Sequence, residues 1–195
     1  MASQIDICNQ ALYKVGAAPI ISLSDGTKGA NALLAIYDIK RDSELAAHPW
    51  TFAITRAQLP ASVTTPVFGM AYYYPLPTGY LGMVEVGENY VMYDPYQGAL
   101  FQIEAGQIVT DEASPLNIRY IQRITNAGLF SPLFVESFAC KLALEICESM
   151  SQSSSKKQNL KDDYDRAIKQ AMRMNSIEQP PRLPPDGSWW SARNG

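Results

Sequence analysis

The sequence predicts an α+β fold: a four-helix core, a β-rich insertion between the second and third helices, and an extended C-terminal arm. Three observations predict it. Apolar residues recur at a 3.6-residue period in two stretches before Thr51 and two after Thr125. Between them the period shortens, and Tyr, Val, Ile and Thr are punctuated by Gly and Pro. Beyond Asn175 two proline pairs, Pro180-Pro181 and Pro184-Pro185, forbid helix. The corresponding division is residues 1–50 with 126–175 for the helical core, 51–125 for the β-rich module and 176–195 for the arm.

The first helix runs from about Ser3 to Val15, with Ser3 as cap, Ile5, Cys8, Leu12 and Val15 as its apolar stripe, and Gly16 just past its end. The second is capped by Asp25 or Thr27 and has almost no breaker from Ala30 to Ala47. Ala30, Leu33, Leu34, Tyr37, Leu45 and His48 fall near one face, and Arg41 falls among them. Pro49 stops this helix, because the residue before a proline is pushed out of the α region. Trp50 and Phe52 then lead into an extended segment, Thr51–Leu59.

Candidate strands follow at Phe52–Leu59, Met70–Tyr74, Leu81–Val86, Tyr90–Tyr93, Ala99–Glu104, Gln107–Thr110 and Leu116–Ile124. Turn signals sit at Gly87-Glu88-Asn89, Asp94-Pro95-Tyr96-Gln97-Gly98 and Ala105-Gly106, and Ala61–Phe68 reads as a loop. The third helix opens at Ser131 with Pro132 in its first position. Phe134, Phe138, Leu142 and Ile146 line its inner face, widened by Val135 and Ala139. A polar hinge, Ser149–Ser155, precedes a fourth helix over about Lys156–Asn175. There Leu160, Tyr164, Ala167, Ile168 and Ala171 face inward, and Lys157, Lys161, Asp165 and Lys169 form a solvated face.

A chain of 195 residues buries one good core, with room for a smaller appended module. The formal net charge is −3. Residues 51–125 hold three basic side chains (Arg56, Arg119, Arg123) against six acidic ones (Glu85, Glu88, Asp94, Glu104, Asp111, Glu112). That balance argues against affinity built on phosphate contacts, which need clustered Lys and Arg. No stretch reaches the ~18–20 apolar residues that cross a bilayer, so no membrane partner is expected. The N-terminus has neither the basic nor the apolar region of a secretory signal. Cys8, Cys140 and Cys147 lie on predicted helices with no C-x-x-C spacing, the pattern of buried free thiols.

Signs of chemistry are sparse. His48, the one histidine, stands before Pro49 at a helix end, where a histidine caps the last carbonyls. The sequence has no phosphate loop, no dinucleotide-binding glycine motif and no nucleophile elbow. Asp162 and Asp163 are adjacent on a helix and point apart. A muramidase-like carboxylate pair would have to come from Glu85, Glu88, Glu104 and Asp111. The sequence therefore assigns no catalytic, metal or cofactor-binding residue, and expects no cofactor. Arg41 has two readings: a stem buried with its head in water, or an ion pair that clamps the helices to the β-rich module. In the second, its partner is Glu44, Asp38 or a distant carboxylate, and Trp50 is the other clamp residue. The arm offers Pro180, Pro181, Leu183, Pro184, Pro185, Trp189 and Trp190, a stiff spacer ending in two indoles suited to anchoring in a pocket of this chain or a neighbour.

Ile7-Cys8-Asn9-Gln10-Ala11-Leu12, Val15-Gly16, Ser22-Leu23-Ser24-Asp25, Arg41-Asp42, His48-Pro49-Trp50-Thr51-Phe52-Ala53 and Arg56 together form a distributed pattern. It continues in Leu116–Thr125 and Phe130-Ser131-Pro132-Leu133-Phe134. The pattern resembles the head-to-tail adaptors of short-tailed bacteriophages, the tail tubular protein A family. The resemblance implies a structural virion protein of the tail, assembled in the host cytoplasm, with no enzymatic activity. It implies a dodecameric ring that joins the portal to the tail nozzle, a tail tubular protein B-like partner, with tail fibres as a further neighbour. DNA would pass through the ring without specific binding during ejection, and an acidic lumen suits that passage. Two other readings come from different classes: a tail-associated peptidoglycan hydrolase, and a generic binding module whose Pro-rich tail is a ligand.

Overall fold

The computed structural model describes residues 2–87, 93–94, 98–151 and 153–178. The chain begins with α1 (Gln4–Val15), whose start is closed by a reciprocal capping box between Ser3 and Asp6. Gly16 ends it in the left-handed region at φ 75°, a conformation that costs glycine little because it has no Cβ. Ile7, Cys8, Ala11, Leu12 and Val15 are buried, whereas Ile5 is only half-buried. The inner stripe thus centres on Ile7 and Ala11 as well as the Cys8–Leu12–Val15 line expected from the sequence. α2 (Lys28–Ala46) starts at Thr27, whose hydroxyl accepts from the Ala30 amide. Asp25, the alternative cap, instead accepts from the Ile21 and Ser22 amides and closes the turn before the helix.

After Pro49 the chain does not extend at once. Thr51–Ala53 forms one turn of 3₁₀ helix, and β1 (Ile54–Leu59) begins two residues later than the sequence suggests. Seven more strands follow among the described residues before the third α-helix begins at residue 132: β2 (Tyr72–Pro75), β3 (Tyr80–Val86), β4 (Tyr93–Asp94), β5 (Gly98–Ala99), β6 (Phe101–Glu104), β7 (Gln107–Thr110) and β8 (Leu116–Gln122). The expected strand Ala99–Glu104 is broken at Leu100, whose carbonyl accepts from the Thr110 hydroxyl. Part of the expected strand Tyr90–Tyr93 lies outside the described residues. Between β6 and β7, Ala105 and Gly106 both take positive φ (46° and 77°), as a two-residue hairpin turn of primed type requires.

The strands form antiparallel sheets in the orders β1-β8-β3 and β2-β7-β6, with β4 and β5 as a short pair. The first sheet is a wall with a different core on each side, because alternate residues of a strand point to opposite faces. Ile121 of β8 belongs to the helical core, against which Leu81, Val84 and Phe52 also pack. Leu116, Ile118 and Tyr120 face the second sheet and form a second core with Leu59, Tyr74, Val86 and Ile108.

α3 (Pro132–Ser151) opens with Ser131 accepting from the Phe134 amide. Phe134, Phe138, Leu142 and Ile146 are buried as one stripe, and Val135 is half-buried. The break before α4 (Ser154–Glu178) is far shorter than the polar hinge read from the sequence. Ser153 caps α4 through its hydroxyl and the Lys156 amide, which lets helix resume at once. α4 also continues three residues past Asn175, so the expected boundary at 176 falls inside the helix. Of its expected inner residues Leu160 and Ala171 are buried, while Tyr164, Ala167 and Ile168 are half-buried. Leu34 of α2, expected in the core, is exposed, and the inner face is completed by the charged pair Arg41 and Glu44. Cys8, Cys140 and Cys147 are buried free thiols, and burial pushes the Cys8 thiol up to about 12.

Candidate functional site

α2 carries its charged residues into the seam between the helical core and the first sheet. Arg41 is buried, and its guanidinium donates in two directions. Nη1 reaches Asp38 at 2.7 Å, while Nε and Nη2 form a fork on Asp42 at 2.9 and 2.8 Å. The other oxygen of Asp42 is 2.7 Å from Nε of Arg123, just past the end of β8. Arg41, Asp42 and Arg123 therefore make a continuous chain from α2 to the sheet, with Asp42 as its middle link. Asp38 was among the partners read from the sequence, whereas Glu44 turns away from Arg41.

Glu44 lies on the same inner stripe, one turn on, and is buried. The Tyr164 hydroxyl of α4 donates to it at 2.8 Å, and Nζ of Lys141 on α3 stands 3.9 Å off. The Lys141 ammonium also sits 5.2 Å from the centre of the Tyr164 ring and 3.4 Å from Glu145. Lys40 completes the group through a 2.8 Å pair with Glu145. Burial raises the Glu44 carboxyl above the usual range, and the hydrogen bond from Tyr164 and the nearby ammoniums only partly offset it. At Glu145 burial acts the same way but loses to Lys40 and Lys141, which hold that carboxyl below its usual value. This network ties α2, α3 and α4 through polar contacts, with the buried Glu44 as the member that would be costly to leave unpaired.

The exit of α2 is fixed by a third set of contacts. Trp50 is buried; its indole N–H donates to the Glu44 carbonyl at 2.9 Å, and its ring packs on His48, Phe52 and Phe134. Asn175 of α4 reaches this corner from the far end of the sequence. Its Oδ1 accepts from the Thr51 amide at 2.7 Å, and its Nδ2 donates to the Pro49 carbonyl at 3.0 Å. A backbone N–H only donates and a carbonyl only accepts, so the amide has one orientation. Nδ2 lies 3.1 Å from His48 Nε2, which must then accept, placing the imidazole proton on Nδ1. Burial lowers the His48 pKa, in accord with a neutral ring. His48 thus reaches across to α4, where the sequence suggested a cap on its own helix.

The sheet carries a separate polar strip. Arg56 and Arg119 are directly opposed in the β1–β8 register, and Glu85 of β3 pairs with Arg119 at 2.9 Å. These residues, with Gln58, Asn117 and Gly87, line an open cavity of about 670 Å³. Of the carboxylates considered for hydrolysis, Glu85 is thereby engaged by Arg119, Asp111 accepts from the Ala71 amide and Glu104 is exposed on β6. Glu88 lies outside the described residues. Among the described residues no cluster of His, Cys, Asp and Glu is arranged to hold a metal ion, and no helix is long and apolar enough to cross a membrane.

Arg41 lies in the link to Arg123 and Trp50 in the separate corner beyond Pro49, while Pro180, Pro181, Leu183, Pro184, Pro185, Trp189 and Trp190 lie outside the described residues. Sequence reasoning missed Asn175 and the roles of Tyr164 and Lys141. A signal existed for two of them: Tyr164 and Asn175 share the inner stripe of α4 with Leu160 and Ala171, and a polar residue on such a stripe needs a partner. Comparison with known proteins gives no lead, since no protein-family model and no curated protein matches the chain.

Proposed function

We propose that the protein is a structural head-to-tail adaptor of a short-tailed bacteriophage, a ring-forming part between portal and tail nozzle through which DNA passes. One observation carries the reading. Several residues that bear the resemblance make the joints between elements. Asn9 ties α1 to the Ile20 backbone with paired bonds of 2.9 and 2.8 Å. Arg41 and Asp42 form the link to Arg123, and His48 to Phe52 form the corner locked by Asn175. A pattern spent largely on joints, with Arg41, Asp42 and Arg119 paired within the chain, suits a part that transmits position between neighbours.

The acidic balance of residues 51–125 supports passage of DNA without adhesion, since like charge repels phosphate. The test is to mix the full-length chain with the portal protein encoded in the same genome and to count copies per portal by mass photometry and electron microscopy. A ring of adaptor copies on the portal is expected. Free chain and free portal migrating separately at every ratio would remove the reading. The same preparation is expected to bind free DNA weakly and without sequence preference. Salt-dependent sub-micromolar binding would contradict the conduit.

A further inference from the structure

One face of the first sheet carries Ile121 into the helical core, and along β8 the next positions on that face turn polar. Arg56 of β1, Arg119 of β8 and Glu85 of β3 stand side by side in register. In the next row Gln58 opposes Asn117, and the Gly87 amide donates to the Asn117 carbonyl at 2.8 Å. The first row is unbalanced, because two guanidiniums share one carboxylate. Glu85 is buried and accepts from Nη1 of Arg119 at 2.9 Å. That is the one hydrogen bond of the Arg119 guanidinium among the described residues, and its buried Nε finds no acceptor there. Arg56 is exposed and makes no ion pair among the described residues. Like charges directly opposed on antiparallel strands destabilise the pairing. The placement also runs against its surroundings. Residues 51–125 are acidic on balance and hold three basic side chains; Arg123 is paired with Asp42, and the other two are set against each other. An anion held between them would turn that repulsion into attraction.

The donors favour one kind of anion. Nε2 of Gln58 donates to Oδ1 of Asn117 at 3.1 Å, so the Asn117 oxygen is engaged and its Nδ2 has hydrogens to give. Guanidinium forks match the oxygens of carboxylates and phosphates. One fork fills a planar carboxylate, whereas two opposed guanidiniums beside an amide suit the three acceptor oxygens of a phosphoryl group. The cavity of about 670 Å³ has the size of a small-molecule site. The Glu112 carboxylate lies near Gly87 but is not among the lining residues. The acidic balance around the cavity opposes a polyanion, whose affinity needs many cations. We infer that this cavity binds the phosphoryl group of a small molecule, with Arg56 and Arg119 on its oxygens and Glu85 holding Arg119 in position. The site is independent of the adaptor reading.

The experiment titrates the full-length chain, labelled with nitrogen-15 on arginine, with inorganic phosphate, acetate and a short oligothymidylate in turn. The Nε–H signals of Arg56 and Arg119 are followed. Phosphate is expected to shift both along one saturable curve and to raise the thermal midpoint. Arg56→Gln is expected to fold as the parent does and to weaken phosphate about tenfold, the loss of one charge-assisted contact. Arg119→Gln alone would leave buried Glu85 unpaired, so it is combined with Glu85→Gln, and this pair is expected to weaken phosphate at least as much. No saturable shift, or equal phosphate affinity in the parent and Arg56→Gln, would overturn the inference. Acetate that binds as tightly as phosphate would assign the cavity to carboxylates, and tighter binding of oligothymidylate would assign it to nucleic acid; either outcome overturns it. Affinity that appears only in Glu88→Gln would mean that the chain's own carboxylate fills the cavity, and would overturn it as well.

Discussion

Removing the Arg41 guanidinium leaves Asp38 facing water, but it leaves Asp42 with only Arg123, whose side chain is half exposed. Truncating one member of a buried, hydrogen-bonded charge group costs more than the group contributes, because its partners stay desolvated. Arg41→Ala should therefore lower stability by about 1–3 kcal/mol. Lys40→Ala removes only a partly exposed pair with Glu145, for which about 0–1 kcal/mol is ordinary. Urea denaturation of the two variants checks this, and equal midpoints would rule out the Arg41 chain of contacts. His48 gives a second residue-scale test. Its pKa is depressed from the ordinary 6.5 by burial, so the unfolded chain takes up the proton first. The contribution is fully present above pH 6.5 and is lost as pH falls below it. Protonation would also turn Nε2 from acceptor to donor against the Asn175 amide. Because the chain has one histidine, its ring signals in an NMR titration are unambiguous, and they should titrate below 6.5. A midpoint above that value would mean that the fold favours the charged imidazole, against the acceptor role of Nε2.

Elements that close on their own residues were legible in the sequence. Ser3 and Gly16 bound α1, Pro132 opens α3 and Ala105-Gly106 turn the β6–β7 hairpin, each through contacts within a few positions. Elements set by distant partners were not. The 3₁₀ turn at Thr51–Ala53 starts with the Thr51 amide donating to Asn175, 124 positions away. No local pattern reveals that. The candidate site divides the same way: the inward position of Arg41 followed from helical period, but its link through Asp42 to Arg123 depends on how β8 ends against α2. Leu34 was misplaced because period alone gives a broad face, and Arg41 with Glu44 took part of it. Gly16 permits an element-scale prediction. A Cβ there would meet strain at φ +75° and stand 3.2 Å from Lys156 Nζ, which donates to the Val15 carbonyl and joins α4 to the end of α1. Gly26 has a similar φ of +69° but open space around it. Gly26→Ala should cost about 1–2 kcal/mol from strain alone. Gly16→Ala should cost more, because it also disturbs the Lys156 contact. Thermal melts that reverse the order would show that the α1–α4 tie contributes little.

At the scale of the whole molecule, the described fold has one continuous frame, from α1 through α3 to the last turn of α4. That turn is part of it: the Glu178 carboxylate accepts from the Thr51 hydroxyl at 2.9 Å, and Asn175 locks the corner beside it. A chain shortened after Ser176 would lose the Glu178 contact, so a clean removal of the arm has to fall after Glu178. Beyond that point the sequence supplies two proline pairs and then Trp189-Trp190. Prolines limit the conformations lost on docking, and each indole is able to bury about 150–250 Å². At roughly 25 cal/mol per Å² this amounts to about 4–6 kcal/mol per indole before ordering costs, a sizeable term for assembly of the ring proposed above. Truncation after Glu178 should leave the circular dichroism and thermal midpoint of the free chain nearly unchanged while strongly weakening joining to the portal proposed as its partner. Trp189→Ala combined with Trp190→Ala should reproduce most of that loss at full length. A truncated chain that melts well below the parent would place the indoles in the subunit's own core, and the arm would then belong to the fold and not to assembly.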